Sequence, residues 1–208
     1  MALTPVAARI GIFGGAFDPP HNAHTALAAA ALAQLDLTEL RIFPTGQAWH
    51  KARGLSSATN RLAMARLAFG DMPRTIVAPR EVLRPGPTYT LDTLHELQRE
   101  HPDAQLVLIM GADQAEALPN WHGWQEILSI AIIAVVHREK SAGFPTRFDP
   151  QSLANLPAGA RFETLELAPI NLSATVIRAH CAANQDISSL VAPAVARYID
   201  QYLLYRPA

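Results

Sequence analysis

The runs "LVLIM" (106–110) and "AIIAVV" (131–136) carry no polar residue at alternate positions. A strand with one wet face alternates polar and apolar residues. A strand without that alternation has to be covered on both faces, as in a parallel sheet held between two layers of helices. Four more short runs have strand composition: "ARIGIFG" (8–14), "ELRIFP" (39–44), "TIVA" (75–78) and "FETLELA" (162–168). Segments with helical spacing lie between and after them: "AHTALAAAALAQL", "ATNRLAMARLAF", "TLDTLHELQREH", "WHGWQEIL", "SATVIRAHCAA" and "AVARYIDQYLL". Strand and helix alternate from end to end. This predicts an α/β fold, a doubly wound, Rossmann-like parallel sheet with helices on both faces, whose ligands sit beyond the carboxyl ends of the strands.

A chain of 208 residues can bury a sizeable core as one unit, and the expectation is a single domain over 1–208. The Ser-, Gly- and Pro-rich stretch from Lys140 to Pro157 reads as a peripheral loop. Net charge is −1 and the pI is near 6.7, which gives no basic face for a nucleic acid. Only two lysines, Lys51 and Lys140, stand against fifteen arginines, so an anion site would lean on guanidinium forks. One cysteine, Cys181, makes no internal disulfide, and the first residues lack the pattern of a signal peptide, so a cytoplasmic location is expected. No apolar run approaches the roughly 20 residues of a membrane span.

The stretch "GIFGGAFDPPHNAH" (11–24) is the chemically suggestive one. Gly14 and Gly15, directly after the first strand, let backbone N–H groups approach an anion. A helix expected to begin near Asn22 aims its positive end into the same space. His21 and His24, three apart and expected on that helix's first turn, could both donate hydrogen bonds to phosphate oxygens. Position 13 is phenylalanine, so the G-x-G-x-x-G dinucleotide fingerprint is not met. Late in the chain, Ser173 or Thr175 can cap a helix whose free N–H groups suit phosphate, and Arg178 adds a planar fork on its first turns.

These residues resemble the nucleotidyltransferases of the adenylyltransferase and cytidylyltransferase type. Their motif G-x-F-D-P-x-H-x-G-H stands here as Gly15 to His24, with Ala23 in place of the family glycine, and their I-S-x-T-x-I-R motif as Leu172 to Arg178. The segments "PTGQAWHK", "PTYTLDTL", "GADQAEALPNWHGWQEIL" and "YIDQYLLYR" narrow the resemblance to the bacterial nicotinate-nucleotide adenylyltransferase branch over nearly the full length. Ala48-Trp49 stands where that branch has Pro-Pro.

The resemblance implies transfer of the adenylyl group of ATP to nicotinic acid mononucleotide, giving nicotinic acid adenine dinucleotide and pyrophosphate. It implies His21, His24, Lys51 and Arg178 as the charge-neutralising set, with Gly14, Gly15, Phe17, His50, Ser173 and Thr175 also at ATP. For the acceptor it implies donors beside Thr90, a plausible helix cap, then Asp113 on ribose, Trp121 stacked on the pyridine ring, and Arg138 near the mononucleotide phosphate. Trp124, three residues on, is expected in the core. Mg2+ is expected to ride on the ATP phosphates, with no protein metal site. His95, His101, His122, His137 and His180 read as surface or packing residues, and Cys181 as inert. The expected partners are these small molecules, with no nucleic acid and no membrane, and assembly with identical chains is left open. The competing readings are a sister enzyme acting on the amide mononucleotide or phosphopantetheine, and a regulatory module that binds nucleotide without chemistry.

Overall fold

A computed structural model describes residues 7–46, 55–138 and 148–206. The elements run β1 (Arg9–Gly15), α1 (Asn22–Gln34), β2 (Glu39–Pro44), α2 (Ala58–Phe69), β3 (Thr75–Val77), α3 (Arg80–Leu83), α4 (Thr90–Glu100), β4 (Gln105–Gly111), α5 (Ala112–Glu116), α6 (Trp124–Ile130), β5 (Ala131–Arg138), β6 (Phe162–Leu167), α7 (Ala174–Ala182) and α8 (Pro193–Gln201). Each predicted strand is present, and each predicted helix to within a few residues. The four-residue α3 and five-residue α5 are additional, because one turn of helix is too short to show a period. The helix expected at "WHGWQEIL" starts late. Gly123, in left-handed conformation at φ 63°, breaks the chain before Trp124.

The strands form one six-stranded parallel sheet in the order β3-β2-β1-β4-β5-β6. β1 pairs with β4 (Ile10 opposite Leu106), β4 with β5 (Ile109 opposite Ala134) and β5 with β6 (Val136 opposite Leu165). Strand order reverses at β1, the position where sheets of this kind present ligand sites.

By internal packing the chain divides into two compact units, residues 1–13, 30–40 and 89–168, and residues 14–29, 41–88 and 169–208. In the first, Leu106 to Met110 and Ala131 to Val136 are all buried, the consequence of their unbroken apolar runs. α4 lays Leu91, Leu94 and Leu97 on its buried side, and α6 adds Ile127 and Leu128. Arg9, opening β1, donates to the carbonyl of Leu35, to Gln105 Oε1 and to both carboxylate oxygens of Glu163. The second unit is built on Met64, Ile177, Cys181, Ile187, Val191, Val195 and Ile199, so α2, α7 and α8 share one apolar core. Among the described residues no helix is long and apolar enough to cross a membrane.

Candidate active site

The loop after β1 belongs to the second unit, and its shape follows from its small residues. A Cβ added at Gly14 would meet no atom of the described residues within 4 Å. One added at Gly15 would lie 3.1 Å from the Phe17 ring. Phe17 has φ 48°, a left-handed conformation uncommon for a residue with a side chain, and its ring folds back beneath the loop. The ring is 2 % exposed and meets His24 edge-on at 5.1 Å and Phe69 at 5.4 Å. Phe17 therefore supports the loop with its side chain and leaves only main chain for a ligand. The Asp18–Pro19 peptide is cis.

His21 does not lie on the first turn of α1, as the spacing suggested. It is the residue just before the helix, and its carbonyl accepts from the N–H groups of His24 (2.8 Å) and Thr25 (3.2 Å). The His21 N–H in turn donates to Nδ1 of His24 at 3.2 Å. The His24 side chain thus supplies the returning half of a capping box, accepting from the N–H of the capping residue, with an imidazole in the place usually held by glutamate or glutamine. The two rings stack with centroids 3.7 Å apart. His21 is buried and His24 half-buried. Asn22 fastens the helix start, its N–H donating to the Leu190 carbonyl (3.0 Å) and its side-chain amide to the Ser189 carbonyl (2.9 Å).

The segment 173–178 meets this loop within the same unit. Arg178 Nη1 donates to the Asp18 carbonyl at 2.8 Å, and its Nη2 to Thr175 Oγ1 at 3.0 Å. Ser173, rather than Thr175, caps α7, accepting from the Val176 N–H at 3.3 Å.

Two residues that sequence reasoning passed over organise the site from beneath. Arg61, 2 % exposed, donates from Nε to Ser56 O (3.0 Å), from Nη1 to Ala16 O (3.0 Å) and Thr45 O (2.6 Å), and from Nη2 to Gly46 O (2.9 Å). One guanidinium thus ties the loop after β1 to the loop after β2 and to the approach to α2. Burial pulls its pKa down, and the charge of Asp18 holds it up. The signal was available, since Arg61 shares the i, i+4, i+8 stripe of Ala65 and Phe69, all buried. Asp18, also 2 % exposed, accepts from the Ser56 N–H at Oδ2 (3.3 Å) and from the Tyr205 hydroxyl at Oδ1 (2.7 Å).

The remaining predicted residues lie in the first unit or outside the described residues. Thr90 is the first residue of α4 and not its cap, since Tyr89 holds the capping position with no side-chain bond. Asp113 is exposed on α5, directly beyond β4. Trp121 and Trp124 do not share a helix face. Trp121 ends a 3-10 turn and Trp124 opens α6, each half-buried, so Trp124 is not a core residue. The rings of Tyr89 and His122 lie 4.6 Å apart, and His95 pairs with Glu126 at 2.9 Å. Arg138 is the last residue of β5, in register with Leu167. His50 and Lys51 fall outside the described residues. Cys181 is buried, and burial pushes its thiol up, away from the reactive thiolate.

The cytidylyltransferase-like family model matches residues 12–190. A relative from Albidiferax ferrireducens, named probable nicotinate-nucleotide adenylyltransferase, is 53% identical over 200 residues, covering 96% of this chain and 99% of the relative. One of the same name from Methylibium petroleiphilum is 44% identical, over 96% and 93% of the two chains. The chain belongs to the nicotinate-nucleotide adenylyltransferase family. The solved Plasmodium falciparum nicotinic acid mononucleotide adenylyltransferase complexed with NaAD superposes with a TM-score of 0.75 at 18% identity, covering 95% of this chain and 97% of that one. It shares the family's fold.

Proposed function

We infer that this chain transfers the adenylyl group of ATP to nicotinic acid mononucleotide, releasing pyrophosphate and forming nicotinic acid adenine dinucleotide. The observation that carries this reading is the hydrogen bond from Arg178 to the Asp18 carbonyl. It sets a guanidinium beside the loop that leads into His21 and His24, so three groups able to stabilise phosphate charge belong to one small region.

In the reaction, a 5'-phosphate oxygen of the mononucleotide attacks the α-phosphorus of ATP as the bond to the bridging oxygen of pyrophosphate breaks. The nucleophile is already anionic at neutral pH, so a general base adds little. Catalysis rests on alignment and on neutralising charge at the triphosphate. We assign that work to His21, His24, Arg178 and Lys51. Gly14, Gly15 and Phe17 contribute main chain, Ser173 and Thr175 shape the start of α7, and His50 lies beside Lys51 in sequence. Because Nδ1 of His24 accepts the His21 N–H, its proton sits on Nε2, the nitrogen we assign to phosphate. For the acceptor nucleotide we assign the main-chain donors near Thr90, with Asp113 to ribose, Trp121 to the pyridine ring and Arg138 to the phosphate.

Magnesium enters as part of the substrate, bound to the triphosphate and keeping most of its waters. Among the described residues no group of three or more His, Cys, Asp or Glu forms a cage for it. We place the reaction in the cytoplasm, where a lone buried cysteine stays reduced.

The test is pyrophosphate release from ATP-Mg with the acid or the amide mononucleotide. Release with the acid, and at least about tenfold slower turnover of the amide, is expected, since an amide offers no carboxylate to paired N–H donors. Equal use of both would remove the assigned acid selectivity, and ATP binding without release would leave only a nucleotide-binding module.

A further inference from the structure

The chain after α8 turns twice through left-handed backbone, at Leu203 (φ 50°) and Tyr205 (φ 65°), neither of them glycine. Such conformations are disfavoured for residues with a Cβ and persist where surrounding contacts fix them. Here the Leu203 N–H donates to the Asp200 carbonyl (3.2 Å) and the Leu204 N–H to the Ile199 carbonyl (3.0 Å). The result of the turn is to point the Tyr205 phenol inward. It donates to Asp18 Oδ1 at 2.7 Å, with Met64 Sδ 3.9 Å away.

Asp18 is the residue through which this contact reaches the phosphate-binding elements. Its main-chain carbonyl receives Arg178, its second carboxylate oxygen receives the Ser56 N–H, and Ser56 O receives Arg61. Three residues further on is His21. We propose that Tyr205 is a positioning residue for adenylyl transfer: its hydroxyl fixes the Asp18 side chain, and with it the carbonyl that orients Arg178 and the backbone that delivers His21 and His24. Burial first, and then the charge of Asp18, raises the phenol's pKa, while Ser56 and Arg178 act against this. The group therefore remains a protonated donor throughout the working range of pH.

The proposal rests on the function inferred above only for its kinetic readout, and it predicts weaker ATP binding whatever the acceptor. Tyr205→Phe keeps the ring and removes the hydroxyl. The expected result is a dissociation constant for ATP-Mg, measured by calorimetry without acceptor, raised about fivefold or more, and a lowered kcat. The KM for the mononucleotide should stay within twofold. In Arg178→Ala, which also weakens ATP binding, the same tyrosine change should add less than about twofold, because the orientation it controls has no guanidinium left to act on.

A Tyr205→Phe protein with a lower Tm but ATP affinity and kcat within twofold of the unmodified chain would overturn the proposal, as would full multiplication of the two effects in the double variant. Should Tyr205→Phe fold too poorly to measure, Asp18→Asn carries the same readout: reduced ATP affinity supports the proposal and unchanged affinity overturns it. If the unmodified chain releases no pyrophosphate with the mononucleotide while Tyr205→Phe still weakens ATP binding, the functional reading fails and the positioning role stands.

Discussion

His24 accepts the backbone N–H of His21 through Nδ1, and the two imidazoles lie stacked with centroids 3.7 Å apart. One contact therefore closes the start of α1 and sets the tautomer of a ring that faces the loop.

The cap and the phosphate contact are separable by mutation. Glutamine at position 24 can still accept the His21 N–H, as in an ordinary capping box, but places no Nε2–H where the imidazole has one. Alanine loses both. His24→Ala should reduce kcat on the order of a hundredfold or more and lower stability by about 1 kcal/mol, roughly 2–4 °C in Tm for a chain of this size. His24→Gln should lose comparable activity while melting within about 2 °C of the unmodified protein. Thermal melts alongside pyrophosphate release decide it, and normal turnover in His24→Gln would take His24 out of the chemistry.

Arg61 offers a second separation. Its guanidinium serves four carbonyls and faces the buried Asp18 carboxylate. Arg61→Met keeps much of the stem volume and removes every donor, leaving carbonyls unpaired and Asp18 less compensated. A loss of about 3–5 kcal/mol is expected, read as a urea midpoint shifted with little change in slope. Arg61→Lys restores a positive charge but not the planar fork, and should fall between the two. A methionine variant within about 1 kcal/mol of the unmodified chain would show that the four hydrogen bonds are replaced by water.

The contrast between Arg61 and the histidines shows what could be seen in the chain. Strands such as Leu106–Met110 were legible because double-sided burial leaves a continuous apolar run, whereas the order β3-β2-β1-β4-β5-β6 rests on pairings between segments far apart in the chain. His21 and His24 were legible because their spacing and the preceding glycines suggest phosphate. Arg61, Asp18 and Tyr205 owe much of their importance to residues far along the chain, Ala16 lying 45 residues from Arg61, Ser56 38 from Asp18 and Tyr205 187 from Asp18. No local period encodes such contacts. Trp124 was misplaced for a related reason. Its spacing from Trp121 suggested a shared helix face, and the left-handed Gly123 between them breaks the helix that spacing assumes.

Gly46 is a glycine the fold needs, and Gly14 one assigned above to the ligand. A Cβ on Gly46 would lie 2.1 Å from the Glu81 carbonyl oxygen and 2.8 Å from Thr88 Oγ1, and Gly46 O is itself a partner of Arg61. Backbone cannot yield as a flexible side chain would, so Gly46→Ala should cost about 1–3 kcal/mol through overpacking and lower Tm by a corresponding few degrees. A Cβ on Gly14 meets no atom of the described residues within 4 Å. Gly14→Ala should melt within about 2 °C of the unmodified protein, yet the methyl would occupy space assigned above to ATP and raise its KM on the order of tenfold, with the mononucleotide KM unchanged. The two alanines should therefore fail in opposite assays. If Gly14→Ala binds ATP normally, the space beside β1 is not where the triphosphate approaches.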